Sequence, residues 1–368
     1  MKPIQARRLI GQLMQWTDDE ATKGFQWLDL MAQYKFDHYQ GYGPGRRFYL
    51  TLLRWLSQFS PEDRRVAFKL LREHLTFVSQ AEMHHLVSRS GALIQRKMRA
   101  HVAGLCGVPV HEVDLDPLAK RRLDLLQTRT LYVGASDGAR IDVFRRFNEG
   151  TINNEQVVAT NEISGRKWRD LHEKLAERIG TREDFHGMAA RFEWVCLIDD
   201  FSASATSSIH DDNGKWKGKV ARFLDGPPER AELSLLEGAV VQIHHYLGTD
   251  TAEQKIGEAC EGIGKVHPAL RFMHSFAYVL PPRFAMQHCG DDELLGLIRR
   301  HFDEKCGDKI VGYKIPFGYK DGGLPLVLEH NTPNNAIALL WAASPPDTDS
   351  PTPVVPLFPR RKRHMEIR

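Results

Sequence analysis

The sequence has few cysteines, no long apolar run and little net charge, and each shortage narrows the class of protein. Its five cysteines among 368 residues are scattered and form no CxxC pair, which predicts free thiols in a reducing cytoplasm. No apolar stretch approaches the length of a membrane-spanning helix, so we expect no membrane partner. The net charge of +3 is too small to indicate a nucleic-acid-binding protein by itself.

The chain also lacks the short motifs of several enzyme classes. It has no nucleophile elbow, no phosphate-loop lysine motif and no dinucleotide-binding glycine fingerprint. Its histidines do not stand with cysteine or acidic residues at metal-binding spacing, so we expect them to have packing or surface roles. What remains is a globular composition, 42% apolar and 26% charged, in a chain long enough for two domains.

The apolar pattern predicts three segments. Residues 1–125 repeat apolar side chains at three- and four-residue steps, which predicts an all-helical N-terminal domain. Residues 126–345 alternate short apolar runs with helical stretches, which predicts an α/β domain with a mostly parallel sheet flanked by helices. Residues 346–368 are rich in proline and end in basic residues, which predicts a disordered tail whose basic end is solvated or binds an acidic or nucleic-acid partner.

The α/β segment contains six predicted strands and five predicted helices. The strands are Thr130–Ala135, Gln156–Ala159, Trp194–Ile198, Ala239–Tyr246, Phe276–Leu280 and Leu326–Glu329. The helices are Asp142–Phe147, Arg166–Ile179, Lys215–Leu224, Thr251–Ile263 and Asp292–Lys305.

The most informative motif follows the strand Trp194–Ile198. Two adjacent carboxylates, Asp199 and Asp200, end this strand, and a loop of small hydroxyl and methyl residues comes next. Ligands of open α/β sheets bind beyond the carboxyl ends of strands. Two acids there can bind ribose hydroxyls or a metal ion, and a small-residue loop can surround a phosphate with backbone N–H groups. The alternative is a simple strand end followed by an Asp/Ser turn.

A second motif is the loop Gly134–Arg140, which follows another predicted strand. Its glycines would let the backbone approach an anion, and Arg140 could hold a phosphate or pyrophosphate through its planar guanidinium. The alternative is a strand-to-helix turn capped by Asp137. Two strand-end loops can face one crevice, so this motif and the acid pair together predict a site for a phosphorylated sugar.

A third motif, Glu329–Asn335, follows the last apolar run. One histidine and three asparagines within six residues offer many hydrogen-bond donors and acceptors. Recognition of a base or partner and a plain turn are both compatible with this composition.

These motifs resemble those of type I phosphoribosyltransferases, in which an apolar strand, two acids and a Thr/Ser/Gly-rich loop hold phosphoribosyl pyrophosphate. The match is closer, and covers nearly the whole chain, with the phosphoribosyltransferase-like effectors of bacterial conflict (antiphage) systems. The matching segments are Arg47–Val87, Gly134–Asp142, Asn154–Val157, Leu197–Thr206, Gly218–Val220 and His330–Asn335.

The resemblance implies roles for individual residues. Asp199 and Asp200 would lie along the ribose and share a magnesium ion, and with Arg140 they would be the catalytic residues. The ligand would also meet residues of all three loops: Ser202, Ala203, Ser204, Ala205, Thr206, Ser207, Gly134, Ser136, Asp137, Gly138, His330, Asn331 and Asn334. The implied reaction displaces pyrophosphate at the anomeric carbon, and cleavage of a nucleotide or glycosidic bond is the variant expected of a toxin.

One departure from the family pattern leaves a rival function open. Ala205 stands where the family loop normally has glycine, and the conflict branch often has glycine at Ala203 as well. If either position needs a positive φ, alanine costs about 1 kcal/mol. The rival is a non-catalytic module that senses a nucleotide and binds a defence-system protein or nucleic acid. The sequence leaves self-association open.

Overall fold

The computed structural model describes residues 3–43, 47–227, 235–302, 306, 312, 315–344 and 353–360. The chain forms two compact units, one of Met1–Glu82 with Pro282–Arg368 and the other of Met83–Pro281. These units divide the chain at places other than residues 125 and 345, because the two ends of the chain build the first unit together.

The first unit is mainly helical. A short parallel pairing joins Thr76–Val78 to Leu326–Leu328, with Phe77 opposite Val327, and so brings distant parts of the sequence together. Its elements are α1 (Pro3–Met14), α2 (Asp18–Tyr34), α3 (Phe48–Ser57), α4 (Pro61–Lys69), a π-helical turn (Leu70–His74), β1 (Thr76–Val78), α11 (Asp292–Arg300), β9 (Leu326–Leu328) and α12 (Ala338–Trp341).

The core of the first unit corrects the prediction of a disordered tail for residues 353–360. Leu357 and Phe358 are fully buried in this core, and the ring of Phe358 contacts Phe36, Phe48 and other aromatic rings. Burial of these two large apolar side chains favours an ordered segment. The rest of the predicted tail after residue 344, including Arg361–Arg363, lies outside the described residues.

The second unit contains a sheet covered by helices. The helix α5 spans the division between the units. The elements are α5 (Gln80–Cys106), α6 (Pro117–Thr128), β2 (Thr130–Gly134), α7 (Ile141–Phe147), β3 (Val157–Val158), α8 (Gly165–Gly180), β4 (Phe192–Ser202), β5 (His210–Asp212), β6 (Lys215–Lys217), α9 (Lys219–Leu224), β7 (Leu235–Thr249), α10 (Asp250–Val266) and β8 (Leu270–Leu280).

The sheet is parallel throughout its described strands and confirms the predicted fold class. Its strand order is β3-β2-β4-β7-β8. The chain moves from β2 outward to β3 and then returns to the other side of β2 to form β4. The strand order therefore reverses between β2 and β4, and such a switch point is where open α/β sheets form a ligand crevice. Both predicted strand-end motifs of this unit lie there.

Two predicted elements are wrong in part. Residues Lys215–Lys217 form a strand that pairs with His210–Asp212, and helix α9 begins only at Lys219. The Asn213-Gly214 turn between the two strands explains the difference, since both residues have positive φ and favour a hairpin. The strand Leu326–Leu328 exists but pairs with β1 in the first unit, outside the five-stranded sheet.

Among the described residues, no helix combines the length and apolar character that a transmembrane span requires.

Candidate functional site

Two loops follow the neighbouring strands β2 and β4 at the switch point. We call Gly134–Arg140 the β2 loop and Ser202–Ser208 the β4 loop. The strands are in register, with Gly134 opposite Ile198, and β4 continues past the end of β2 to Ser202. The site is therefore assembled from segments about 65 residues apart in sequence.

The β2 loop is joined directly to the two aspartates. The Ala135 amide donates to the Ile198 carbonyl at 2.8 Å, which extends the ladder by one bond beyond β2. The carboxylate of Asp200 lies against Gly138, where a Cβ atom would stand 2.2 Å from Oδ2 of Asp200. A side chain at this position would displace the carboxylate, so glycine lets Asp200 lie where it does. The two predicted motifs thus meet at one point.

Asp199 is buried and is held by two groups. The Ser136 hydroxyl donates to its Oδ1 at 2.5 Å, and the Lys219 ammonium is hydrogen-bonded to its Oδ2. Burial raises the pKa of Asp199, and the positive charge of Lys219 opposes that rise. Asp199 is therefore already bonded by the protein itself.

Asp200 belongs to a different environment, which includes Arg140. Burial lowers the pKa of Arg140, and the charge of Asp200 opposes this effect. The backbone of Arg140 has a left-handed conformation, with φ of 44°. The Tyr246 hydroxyl fixes the preceding residue by donating to the Ala139 carbonyl at 2.6 Å. A strained backbone next to a residue that a buried tyrosine fixes is typical of a functional loop.

The carbonyl groups of the β4 loop are used to attach the loop to its surroundings. The Thr249 hydroxyl donates to the Ala203 carbonyl at 2.7 Å, and the Lys219 amide donates to the Ser207 carbonyl at 3.1 Å. The Ala205 carbonyl accepts from two amides of the loop's own end. The carbonyls of Ala203 and Ser207 thus attach the loop to β7 and α9, and the Ala205 carbonyl closes the turn.

The backbone N–H groups of the same loop, in contrast to its carbonyls, are left unused by the described residues. Within the part of the chain that the structure describes, the backbone N–H groups of Ala203–Ser207 have no protein acceptor. The Ser202 hydroxyl is buried and also has no partner there. Consecutive unused N–H groups in a tight turn form an anion-binding concavity.

The alanines of the β4 loop differ from one another. Ala205 has a φ of 65°, so this position does require the conformation that glycine adopts most easily, whereas Ala203 does not have a positive φ. The Ala205 side chain is 3% exposed and packs in the main apolar cluster of the unit. Burial of its methyl group offsets part of the cost of the left-handed backbone.

The third predicted motif, which we call the β9 turn (Glu329–Asn335), belongs to the first unit. Thr332 is fully buried, and its hydroxyl is hydrogen-bonded to Tyr39 and to the Phe358 carbonyl. The side-chain amide of Asn335 donates to the Tyr319 carbonyl at 2.8 Å. The turn thus supports the core of its own unit, and ligand roles for His330, Asn331 and Asn334 stay predictions.

Two residues of the site were missed by the sequence-based predictions. Lys219 was noticed only as part of the family-like segment Gly218–Val220, and no signal gave its reach to Asp199. His245 was expected to have a packing or surface role; it is buried, and its Nε2 atom lies 4.0 Å from Oδ2 of Asp199. Burial lowers the pKa of His245 to about 3, so its ring is neutral at physiological pH.

The donor set does not fit a magnesium ion held by protein side chains alone. The described residues contain no group of three or more His, Cys, Asp or Glu side chains suited to a metal ion. Both oxygens of Asp199 already accept from Ser136 and Lys219. An ammonium thus occupies the position beside Asp199 that a metal ion would need.

Comparison with known proteins gives one match. The family model PRTase-CE, of phosphoribosyltransferase-like conflict effectors, matches residues 52–360, which is most of the chain. No curated protein and no solved structure matches the chain.

Proposed function

We propose, since the chain belongs to the PRTase-CE family of phosphoribosyltransferase-like conflict effectors, that the crevice between β2 and β4 binds a phosphoribosyl ligand. The ligand would be phosphoribosyl pyrophosphate or a nucleotide. The observation that carries this proposal is the polarity of the β4 loop: among the described residues the N–H groups from Ala203 to Ser207 have no acceptor, while the carbonyls of Ala203 and Ser207 accept from Thr249 and Lys219. Such a loop presents partial positive charge and suits the 5′-phosphate.

The β2 loop suits the second anionic part of the ligand. Arg140 supplies a planar cation beside Asp200, and the absence of a side chain at Gly138 gives the Asp200 carboxylate its place against the β2 loop. Asp200 would accept hydrogen bonds from ribose hydroxyls, as carboxylates do at strand ends of α/β proteins. A ligand with a phosphate at one end and a pyrophosphate at the other would thus find complementary groups on both loops.

The proposed chemistry at this site is displacement of pyrophosphate from the anomeric carbon by an acceptor. Its transition state carries positive charge on the sugar ring, which the Asp200 carboxylate would stabilise. Because the side chains described in the structure do not by themselves form a magnesium site, no step of this proposal passes through a metal ion. The family suggests that the activity serves antiphage defence.

The proposal is tested by calorimetric titration with phosphoribosyl pyrophosphate. We expect the parent protein to bind and the Asp200→Asn variant to bind at least about tenfold more weakly, since one charge-assisted hydrogen bond contributes about 1.5 kcal/mol or more. Asp212→Asn is the matched control, because Asp212 is an exposed carboxylate paired with Lys217 on the nearby hairpin. Absence of binding by the parent would refute the proposal.

A second measurement separates the enzyme from the sensor. Release of pyrophosphate, with or without a panel of nucleobases, would identify a transferase or a hydrolase, and its loss in Asp200→Asn would assign it to this crevice. Binding without release would identify the non-catalytic nucleotide sensor.

A further inference from the structure

The two adjacent aspartates point to opposite faces of the sheet. Successive side chains of a strand alternate between faces. Asp199 therefore shares its face with Val195 and Leu197, which belong to the main apolar cluster. Asp200 lies on the other face, against Gly138 of the β2 loop. Equivalent roles for the pair, as the family resemblance implies, are difficult to reconcile with this geometry.

Asp199 is shielded from a ribose hydroxyl by burial and by the groups that already hold it. Its side chain is 3% exposed, with Oδ1 bonded to Ser136 and Oδ2 bonded to Lys219. The Lys219 side chain is itself only 16% exposed, so the pair is largely shielded from water. This burial keeps a ligand hydroxyl away from Asp199, whose charge is already balanced by Lys219.

Lys219 connects Asp199 to the β4 loop. The backbone N–H of Lys219 donates to the Ser207 carbonyl, and the Asn161 side chain donates to the Lys219 carbonyl at 3.1 Å. The preceding Gly218 has a φ of 104° and lies so close to the loop that a Cβ atom would stand 2.6 Å from the Ser208 carbonyl oxygen. The backbone of Lys219 is thus docked on the loop while its ammonium is fixed at the sheet.

We infer that the two aspartates have different tasks: Asp199 is a positioning residue that holds the β4 loop in place through Lys219, and Asp200 is the carboxylate that recognises the ribose. This inference rests on the proposed function and makes it more specific. It follows that Asp199 and Lys219 set the affinity for the phosphate group of any ligand, whereas Asp200 sets the preference for a phosphorylated sugar over a bare phosphate.

The test compares two probes, inorganic phosphate and ribose 5-phosphate. We expect Asp200→Asn to lower the affinity for ribose 5-phosphate at least about tenfold, because the sugar contact is lost. The affinity for inorganic phosphate should change by less than about twofold. We expect Asp199→Asn to weaken both probes by the same factor. Lys219→Arg should retain most of the affinity for both probes, since it preserves the charge beside Asp199.

Lys219→Met alone would leave a buried carboxylate unpaired and could prevent folding. The double variant Asp199→Asn/Lys219→Met removes both charges and is therefore the informative form. It should lower the affinity for inorganic phosphate and for ribose 5-phosphate by the same factor. Lys217→Met is the matched control, because it breaks an exposed ion pair two residues away, and it should change neither affinity.

The outcomes distinguish the inference from the function on which it rests. If Asp199→Asn weakens ribose 5-phosphate but not inorganic phosphate, as expected of Asp200→Asn, the inference is refuted while the proposed function stands. If the parent binds neither probe, the proposed function itself fails. Equal loss of both probes in Asp199→Asn, with selective loss in Asp200→Asn, supports both.

Discussion

The β4 loop and the β9 turn show how similar sequences can serve opposite purposes. Both follow an apolar strand and are rich in small polar residues, and both were predicted to meet a ligand. In the β4 loop the amides of Ala203–Ser207 and the Ser202 hydroxyl lack partners among the described residues. In the β9 turn, Thr332 and Asn335 are bonded to the backbone of their own unit.

The difference teaches that composition alone does not separate a ligand-binding loop from a supporting turn. What separates them is where the polar groups find their partners. A buried polar group without a partner is costly, so the Ser202 hydroxyl, together with a run of N–H groups that have no acceptor among the described residues, indicates a role outside the fold. This criterion favours the β4 loop as the binding element.

The largest expected effect concerns the sheet beneath the β4 loop. Burial lowers the pKa of His244 and of His245 to about 3, well below the ordinary value near 6.5. The unfolded chain therefore takes up these protons first, and stability is lost as pH falls from about 6.5 toward 3. Between pH 7 and pH 5.5 we expect the free energy of unfolding to fall by about 1.3 kcal/mol per histidine, measured by urea denaturation.

The variant His244→Gln isolates one of these contributions. It removes the titrating ring and should reduce the difference between the two pH values by about half. A pH dependence unchanged in this variant would show that His244 is protonated in the folded protein, which would place water or an acid beside its ring.

The next prediction compares the loss of one hydroxyl from the β4 loop with the loss of one hydroxyl from the β9 turn. Ser202→Ala removes a hydroxyl without a partner, so it should leave stability unchanged but weaken ribose 5-phosphate about tenfold if that hydroxyl binds the phosphate. Thr332→Val removes a hydroxyl that donates to the Phe358 carbonyl, so it should lower the free energy of unfolding by about 1 to 2 kcal/mol and leave the affinity unchanged. Titration calorimetry and urea denaturation measure the two effects.

The comparison fails if the effects are reversed. A loss of stability in Ser202→Ala would show that its hydroxyl is bonded inside the protein. A loss of affinity in Thr332→Val, in a protein of unchanged fold, would return the β9 turn to the list of binding elements.

Much of the α/β unit was predictable because its signals are local. The apolar run Val195–Ile198 is fully buried, and the small-residue loop after it marks the end of a strand. The meeting of the two loops followed from a general rule about parallel sheets. These features depend on the pattern of residues along the chain and need no knowledge of distant contacts.

The remaining features depend on contacts that the sequence pattern does not encode. The reach of Lys219 to Asp199 depends on the placement of α9, and the burial of Phe358 depends on a pairing between β1 and β9 far apart in the chain. The proline-rich composition around Phe358 favoured disorder, and tertiary packing overrode it. Long-range contacts, rather than local propensity, account for both differences.

The smallest expected effect concerns the two alanines of the β4 loop. They are the same residue type, but only Ala205 has a positive φ. Ala205→Gly relieves a φ of 65° but loses a buried methyl group, so we expect stability to change by less than about 1 kcal/mol. Ala203→Gly relieves no positive φ and should destabilise by about 0.5 to 1 kcal/mol. Urea denaturation measures both variants under one condition. If Ala205→Gly were the more destabilising of the two, methyl packing rather than backbone strain would dominate at this position, and the β4 loop would resemble the β9 turn in being held together by its own core.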